Sequence, residues 1–304
     1  MTELTSREII EGVQWWELAG HHDERGLLET WRELHHAVQL VAELGKGWAR
    51  AEADDSHSTL VWIPNAERLQ DQFFASRLAE GGRPARALLR PWDMKLFLID
   101  AAGSPIDSVE LEGTTFERAL GWVRSVAEGA IGPAVQDAEP APDLPDHPVA
   151  SGSAFGEPNQ LAIAELIRFY SNADAVLGRV HELLDTESEP VTWPHHFDLA
   201  VLKIVSRDAS GEMEHTIGFG LTPPDSVSAE GYWYVSPWSR TPGGGAAWPD
   251  LPVGRWEPRG DAAPMAVLPA SEVSSTEDPA EQHERVAAFI ADAYNACRRA
   301  IDDG

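Results

Sequence analysis

The chain reads as an α+β protein made of two similar halves, each a small antiparallel sheet with flanking helices. Three observations predict this. Apolar residues recur at helical spacing in several long stretches, and short runs rich in β-branched and aromatic residues lie between turn-forming ones. The order of a long helix, strands and a closing helix also occurs twice, which suggests an internal duplication.

Ile9, Ile10, Val13 and Trp16 recur every three to four residues behind Thr5 and Ser6, predicting a first helix stopped by Ala19-Gly20. A longer helix follows, with Leu27, Trp31, Leu34, Val38 and Val41 on one face and Gly45 and Gly47 at its end. Ser58 to Ile63 is a β-type run closed by Pro64, and Glu67 to Ala79 reads as another helix before Gly81-Gly82. Lys95 to Asp100 and Ile106 to Leu111 flank Ala-Ala-Gly-Ser-Pro, the pattern of a hairpin. Thr114, with Glu117 three residues on, forms a capping-box pattern ahead of a helix burying Phe116, Leu120, Val123 and Ala127.

Apolar periodicity fails from Pro133 to Pro158, where Pro, Asp, Glu, Ala, Gly and Ser dominate. The expected organisation is therefore a half over residues 1–132, a Pro-rich acidic linker over 133–158 and a second half over 159–304. In that second half, Ile163, Leu166, Ile167, Tyr170, Leu177, Val180 and Leu184 mark a long amphipathic helix. Strands over His196–Val205, His215–Leu221 and Tyr232–Val235 suggest a meander, and Ala266–Leu268 a last short strand. The irregular stretch Arg240–Gly260, with Gly243-Gly-Gly245, Trp248 and Trp256, is long enough to favour a covering loop. A closing helix carries Val286, Phe289, Ile290, Ala293, Cys297 and Ile301 on one face.

Composition narrows the function. A chain of 304 residues, 43% of them hydrophobic, folds without staples, and one cysteine excludes an internal disulfide framework. No charged-then-apolar leader and no run of about 20 apolar residues appears, so the expectation is a soluble cytoplasmic protein with no membrane partner. Fifty acidic against 23 basic residues give a formal charge of −27, which repels phosphate backbones and argues against a nucleic-acid partner.

The most informative stretch is Thr192 to Val205, where Trp-Pro-His-His-Phe-Asp precedes the strongest strand signal in the chain. Together with Thr216-Ile-Gly-Phe-Gly-Leu-Thr-Pro-Pro-Asp225 and Gly231-Tyr-Trp-Tyr-Val-Ser-Pro-Trp238, it resembles a family of uncharacterised bacterial proteins. That resemblance implies no activity.

If the strand starts at His196, side-chain alternation puts His196 and Asp198 on one face. Gly218 and Gly220 then share a face of the second strand, and Tyr232 and Tyr234 a face of the third. Two functional readings follow. In one, a small molecule occupies a pocket walled by Tyr232, Trp233 and Tyr234 over a floor of Gly218 and Gly220. In the other, a metal-dependent, hydrolase-like enzyme holds a divalent transition metal on His196 and Asp198, with His215, Asp225 or Glu230 as third ligand and Asp225 or Glu230 as the alternative base. His196, Asp198 and Asp225 are the catalytic candidates on that reading. A third arrangement, Ser236 with His196 and Asp198, has poor geometry for an Asp that must orient its His. The bland alternative is that Asp198 pairs with a histidine or caps backbone groups near a strand start, while the tyrosines pack and hydrogen-bond through their hydroxyls. The crowd of Trp193, Trp233, Trp238, Trp248 and Trp256 likewise fits an aromatic wall or a filled core. Phosphate-cradling and dinucleotide motifs are absent, as is a nucleophile elbow.

Overall fold

The computed structural model describes residues 3–13, 15–20, 24–65, 67–137, 144–240 and 248–302. The expected features at Gly243–Gly245 and at the centre of the 133–158 segment lie outside the described residues.

In chain order the elements are α1 (Ser6–Gly12), α2 (Glu24–Trp48), β1 (Leu60–Ile63), β2 (Phe73–Ser76), β3 (Ala85–Arg90), β4 (Lys95–Asp100), β5 (Pro105–Glu110), α3 (Phe116–Ala130), α4 (Gln160–Leu184), β6 (Val191–Trp193), β7 (Asp198–Arg207), β8 (Met213–Thr222), β9 (Tyr232–Ser239), β10 (Arg255–Arg259), β11 (Ala262–Pro269), α5 (Ala270–Val273) and α6 (Pro279–Asp302). Helices with antiparallel strands make this an α+β protein. None of the described helices is long and apolar enough to cross a membrane. The chain forms two compact units, an N-terminal one of residues 21–167 and 191–197 and a C-terminal one of residues 1–20, 168–190 and 198–304.

In the N-terminal unit the strands run in the order β6, β1, β2, β3, β4, β5, each antiparallel to its neighbour. Cross-strand register sets Trp62 against Phe74, with ring centroids 4.7 Å apart. Here the expected helix over Glu67–Ala79 is overturned. Leu69–Asp71 makes one 3-10 turn and Phe73–Ser76 becomes β2, because pairing on both sides and burial of Phe74 outweigh local helix preference. The helix α2 packs its buried face, Leu34, Val38 and Val41 among it, toward β2 and β3. It runs through both glycines expected to stop it. A Cβ at Gly45 would sit 2.3 Å from the His57 carbonyl oxygen, so this glycine serves close approach of a neighbouring turn rather than helix termination. The α3 cap is Thr115, one residue later than expected, its hydroxyl accepting from the Arg118 amide at 3.3 Å. The segment after α3 is pinned to α2 where Val135 N–H donates to Gly47 and the Trp48 indole donates to Gly132.

In the C-terminal unit the strand order is β7, β8, β9, β11, β10, again antiparallel throughout. Alternation along β8 buries Ile217, Phe219 and Leu221 on the face that α6 covers with Val286, Phe289, Ile290 and Ala293. Cys297 lies on that same helix face, as the spacing predicts, and burial pushes its thiol pKa up, which keeps it unreactive. The helix α1 starts on a complete capping box between Thr5 and Glu8 and stops at Gly12, short of Trp16. Released from the helix, Trp16 stacks on His283 and on Trp233, and its indole donates to Gln282. The fully buried Gln282 amide also accepts from Ala19 N–H and donates to the Ala19 carbonyl, fixing the N-terminal segment to α6.

One end strand of each unit is polar. β5 exposes Pro105, Asp107, Ser108 and Glu110, and β10 carries Arg255, Glu257, Pro258 and Arg259, with its bulge at Pro258.

Candidate functional site

The Trp-Pro-His-His-Phe-Asp stretch is not the start of a strand. β6 ends at Trp193, residues 194–197 form a turn, and β7 begins only at Asp198. Pro194 supplies no N–H for a ladder, while the Trp193 carbonyl accepts from the amides of His196 and Phe197. Phe197 then takes a left-handed backbone, φ +57°, and its fully buried ring stacks on His35 and meets Phe74 at 5.3 Å. Strand alternation therefore does not put His196 and Asp198 on one face. His196 is exposed in the turn, its ring 4.3 Å from that of His195, whereas Asp198 is buried at a strand start.

Beneath this turn, His35 on α2 donates through Nε2 to the Pro194 carbonyl at 3.0 Å, and the Gln39 amide donates to the same oxygen. Burial drives the His35 pKa down to about 4, an effect only partly offset by the Pro194 carbonyl, so the ring is neutral. His195 is likewise pushed down by burial and by the neighbouring His196. His35 thus holds the turn in place, as a satisfied boundary histidine does.

Of the second expected feature, the shared face of the tyrosines and the shared face of the glycines are present in the C-terminal unit. Register aligns Ala200, Gly220 and Tyr234 in one row, Leu202, Gly218 and Ser236 in the next, and Thr222 with Tyr232 on the other side. These rows occupy the sheet face opposite the one covered by α6. On it the Tyr234 hydroxyl donates to Asp198 Oδ2 at 2.7 Å, and the Tyr232 hydroxyl donates to Asp225 Oδ2 at 2.9 Å. Burial first, and then the adjoining carboxylate, raise both tyrosine pKa values, so the phenols stay protonated and donate. Tyr232, Met265 and Val267 form a small buried apolar cluster here, with Val227 and Tyr234 packed on it.

Two expected lining elements fall elsewhere. Trp233 points to the opposite face, is 2% exposed and stacks on Trp16, so it fills core rather than walling a pocket. The glycine floor is half covered, since a Cβ at Gly220 would lie 2.6 Å from the Tyr234 ring, while one at Gly218 would meet nothing nearer than 3.8 Å. Gly220→Ala will therefore displace the Tyr234 ring, with a stability loss of about 1–3 kcal/mol, whereas Gly218→Ala will be near neutral. Denaturant midpoints of the two variants check this. Equal effects would show that the ring does not rest on Gly220.

The expected third ligands are engaged in local structure. His215 Nδ1 bonds the Ser206 hydroxyl at 2.7 Å, Glu230 accepts from the Ser271 amide and hydroxyl, and Asp225 also accepts from the amides of Val227 and Ser228. Ser236 accepts from Arg259. Among the described residues no group of three or more His, Cys, Asp or Glu is placed to hold a metal ion. Sequence reasoning overlooked Arg259, which reaches this face from the bulged β10, and the exposure of Trp238 and Leu202, which are 47% and 36% exposed. Three consecutive residue types at alternate positions, Tyr234, Ser236 and Trp238, were the available signal.

No family model, no curated protein and no solved structure matches the chain.

Proposed function

We propose that this is a small-molecule-binding protein whose ligand lies on the tyrosine-bearing sheet face of the C-terminal unit. The observation that carries the reading is the concentration of hydrogen-bonding and apolar groups on that face. Two phenol–carboxylate pairs, Tyr234 with Asp198 and Tyr232 with Asp225, stand beside a buried apolar cluster, and Leu202 and Trp238 leave apolar surface open. A few oriented polar groups among apolar side chains are what small-molecule sites use. The phenols are held neutral, so binding and orientation fit this face better than proton transfer near neutral pH. A ligand-detected NMR screen of metabolite-sized compounds, followed by thermal shift, tests the reading. Hits will raise the melting temperature of the wild type and lose that effect in Trp238→Ala and Tyr234→Phe. Hits indifferent to both substitutions would place the site elsewhere.

We also infer that the halves arose by duplication. In support, a long helix precedes five antiparallel strands and a closing helix in each, as α2, β1 to β5 and α3, and as α4, β7 to β11 and α6; the first three strands of each set are neighbours in chain order, while the fourth and fifth exchange places in the second set. Superposing the two strand sets checks this; an inconsistent register between them would refute it.

A further inference from the structure

On the tyrosine-bearing face, one row of the sheet has a gap in it. Gly218 pairs with Leu202 on one side and Ser236 on the other, and has no side chain between them. The rows on either side carry aromatic residues, Tyr234 toward Asp198 and Trp238 toward the far end, and a Cβ at Gly218 would meet nothing nearer than Tyr234 Cε2 at 3.8 Å, so the missing side chain leaves a notch bordered by that ring. Trp238 is 47% exposed and Leu202 36%, which leaves the notch open to solvent.

A guanidinium stands at the end of this notch. Arg259 is half-buried and donates through Nη1 to Ser236 Oγ at 2.9 Å, through Nη2 to the Pro237 carbonyl at 2.8 Å and through Nε to the Ala263 carbonyl at 3.0 Å. All three acceptors are neutral. Among the described residues no carboxylate comes within ion-pair distance of it, in a chain with 50 acidic residues. A guanidinium has five N–H donors, so two remain beyond the three in use. A partly buried charge bonded only to neutral groups is incompletely compensated, and a small oxyanion would complete it. The Ser236 hydroxyl accepts from Arg259 and keeps its own proton to donate to the same anion.

Building on the small-molecule reading above, we propose that the notch takes a small planar carboxylic acid. Its ring lies over Gly218 between Tyr234 and Trp238, and its carboxylate rests on Arg259 and Ser236. The aromatic walls supply stacking surface, and the fork supplies charge and orientation. An amide of the same shape lacks the charge, and an amine of the same shape meets a repelling guanidinium.

The test titrates the full chain with benzoate, benzamide and benzylamine, read by saturation-transfer NMR and by tryptophan fluorescence, in the wild type, Arg259→Gln, Arg259→Lys and Gly218→Val. Benzoate will bind, with benzamide and benzylamine at least about tenfold weaker. Arg259→Gln and Gly218→Val will each weaken benzoate by about tenfold or more, the first by removing the charge and the second by filling the notch. Arg259→Lys, which retains charge but loses the fork, will fall between the wild type and Arg259→Gln and decides the matter if Arg259→Gln does not fold. Benzamide binding as well as benzoate, unchanged benzoate affinity in the Arg259 variants, or no benzoate binding overturns the proposal. The broader reading has a separate fate: compounds that bind through Trp238 and Tyr234 regardless of Arg259 would leave it standing while the carboxylate assignment falls.

Discussion

Phe197→Ala will destabilise the N-terminal unit by about 3–5 kcal/mol, the usual cost of emptying a fully buried aromatic site. The ring is 0% exposed and fills the space between His35 and Phe74, and neither partner can follow it, because His35 is tied to the Pro194 carbonyl and Phe74 is paired on both sides of β2. The backbone gives a second, more diagnostic expectation. At φ +57° an L side chain carries a strain of about 1–2 kcal/mol that glycine does not. Phe197→Gly, which empties the same space, will therefore be no less stable than Phe197→Ala, the reverse of the order found at ordinary strand or helix positions. Chemical denaturation of both variants reads this. A loss under about 1 kcal/mol for alanine, or glycine clearly worse than alanine, would rule out a left-handed anchor at this turn.

The second large effect is a pH dependence with two opposed parts. Burial, reinforced by the charge of Glu189, raises the Asp174 carboxyl from 3.8 to about 7. A raised folded pKa means that the native state holds the proton more tightly than the unfolded chain does. Its stabilising contribution is complete below 3.8 and is lost as pH climbs through about 7. Asp174→Asn removes that loss, so the variant will be more stable than wild type at pH 8, by about 2–4 kcal/mol, and nearly equal to it at pH 4. His35 acts in the other direction. Its pKa falls from 6.5 to about 4, so the unfolded chain takes up the proton first and stability declines as pH drops through that window. Burial lowers His36, His195 and His283 as well, so the histidines together oppose Asp174 near pH 5 to 6, and Asp174→Asn will steepen the loss of stability toward acid. Urea midpoints from pH 4 to 8 measure both. An Asp174→Asn variant that tracks the wild type across that range would mean the carboxyl is ordinary.

Much of the architecture could be read before any coordinates. Thr5 and Glu8 announce α1, the stripe from Leu27 to Val41 announces α2, and the alternation of Ile217, Phe219 and Leu221 against glycines announces β8. What escaped the sequence depended on contacts distant along the chain. β3, Ala-Arg-Ala-Leu-Leu-Arg, lacks β-branched residues and is a strand only because β2 and β4 flank it. Gly45 looks like a helix end until the turn it accommodates is known. At the candidate site, alternation put Tyr232 and Tyr234 on one face of β9, whereas their carboxylate partners, one at a strand start and one in a loop, were not legible. Nor was the turn at Pro194–Phe197, since nothing in a phenylalanine advertises a left-handed backbone. Trp233 and Tyr234 differ by one position, yet that step sends one into the core and the other to the open face.

The polar outer strands carry a final implication for how the protein behaves when concentrated. A bare ladder of amides invites another molecule to add itself as the next strand, the first event in fibre growth. Pro258 has no amide to offer, its bulge twists the ribbon away, and the flanking arginines and glutamate keep water bound. Pro105, Asp107 and Glu110 guard β5 in the same manner. Neither of these two strands is an inviting template for the addition of a further strand.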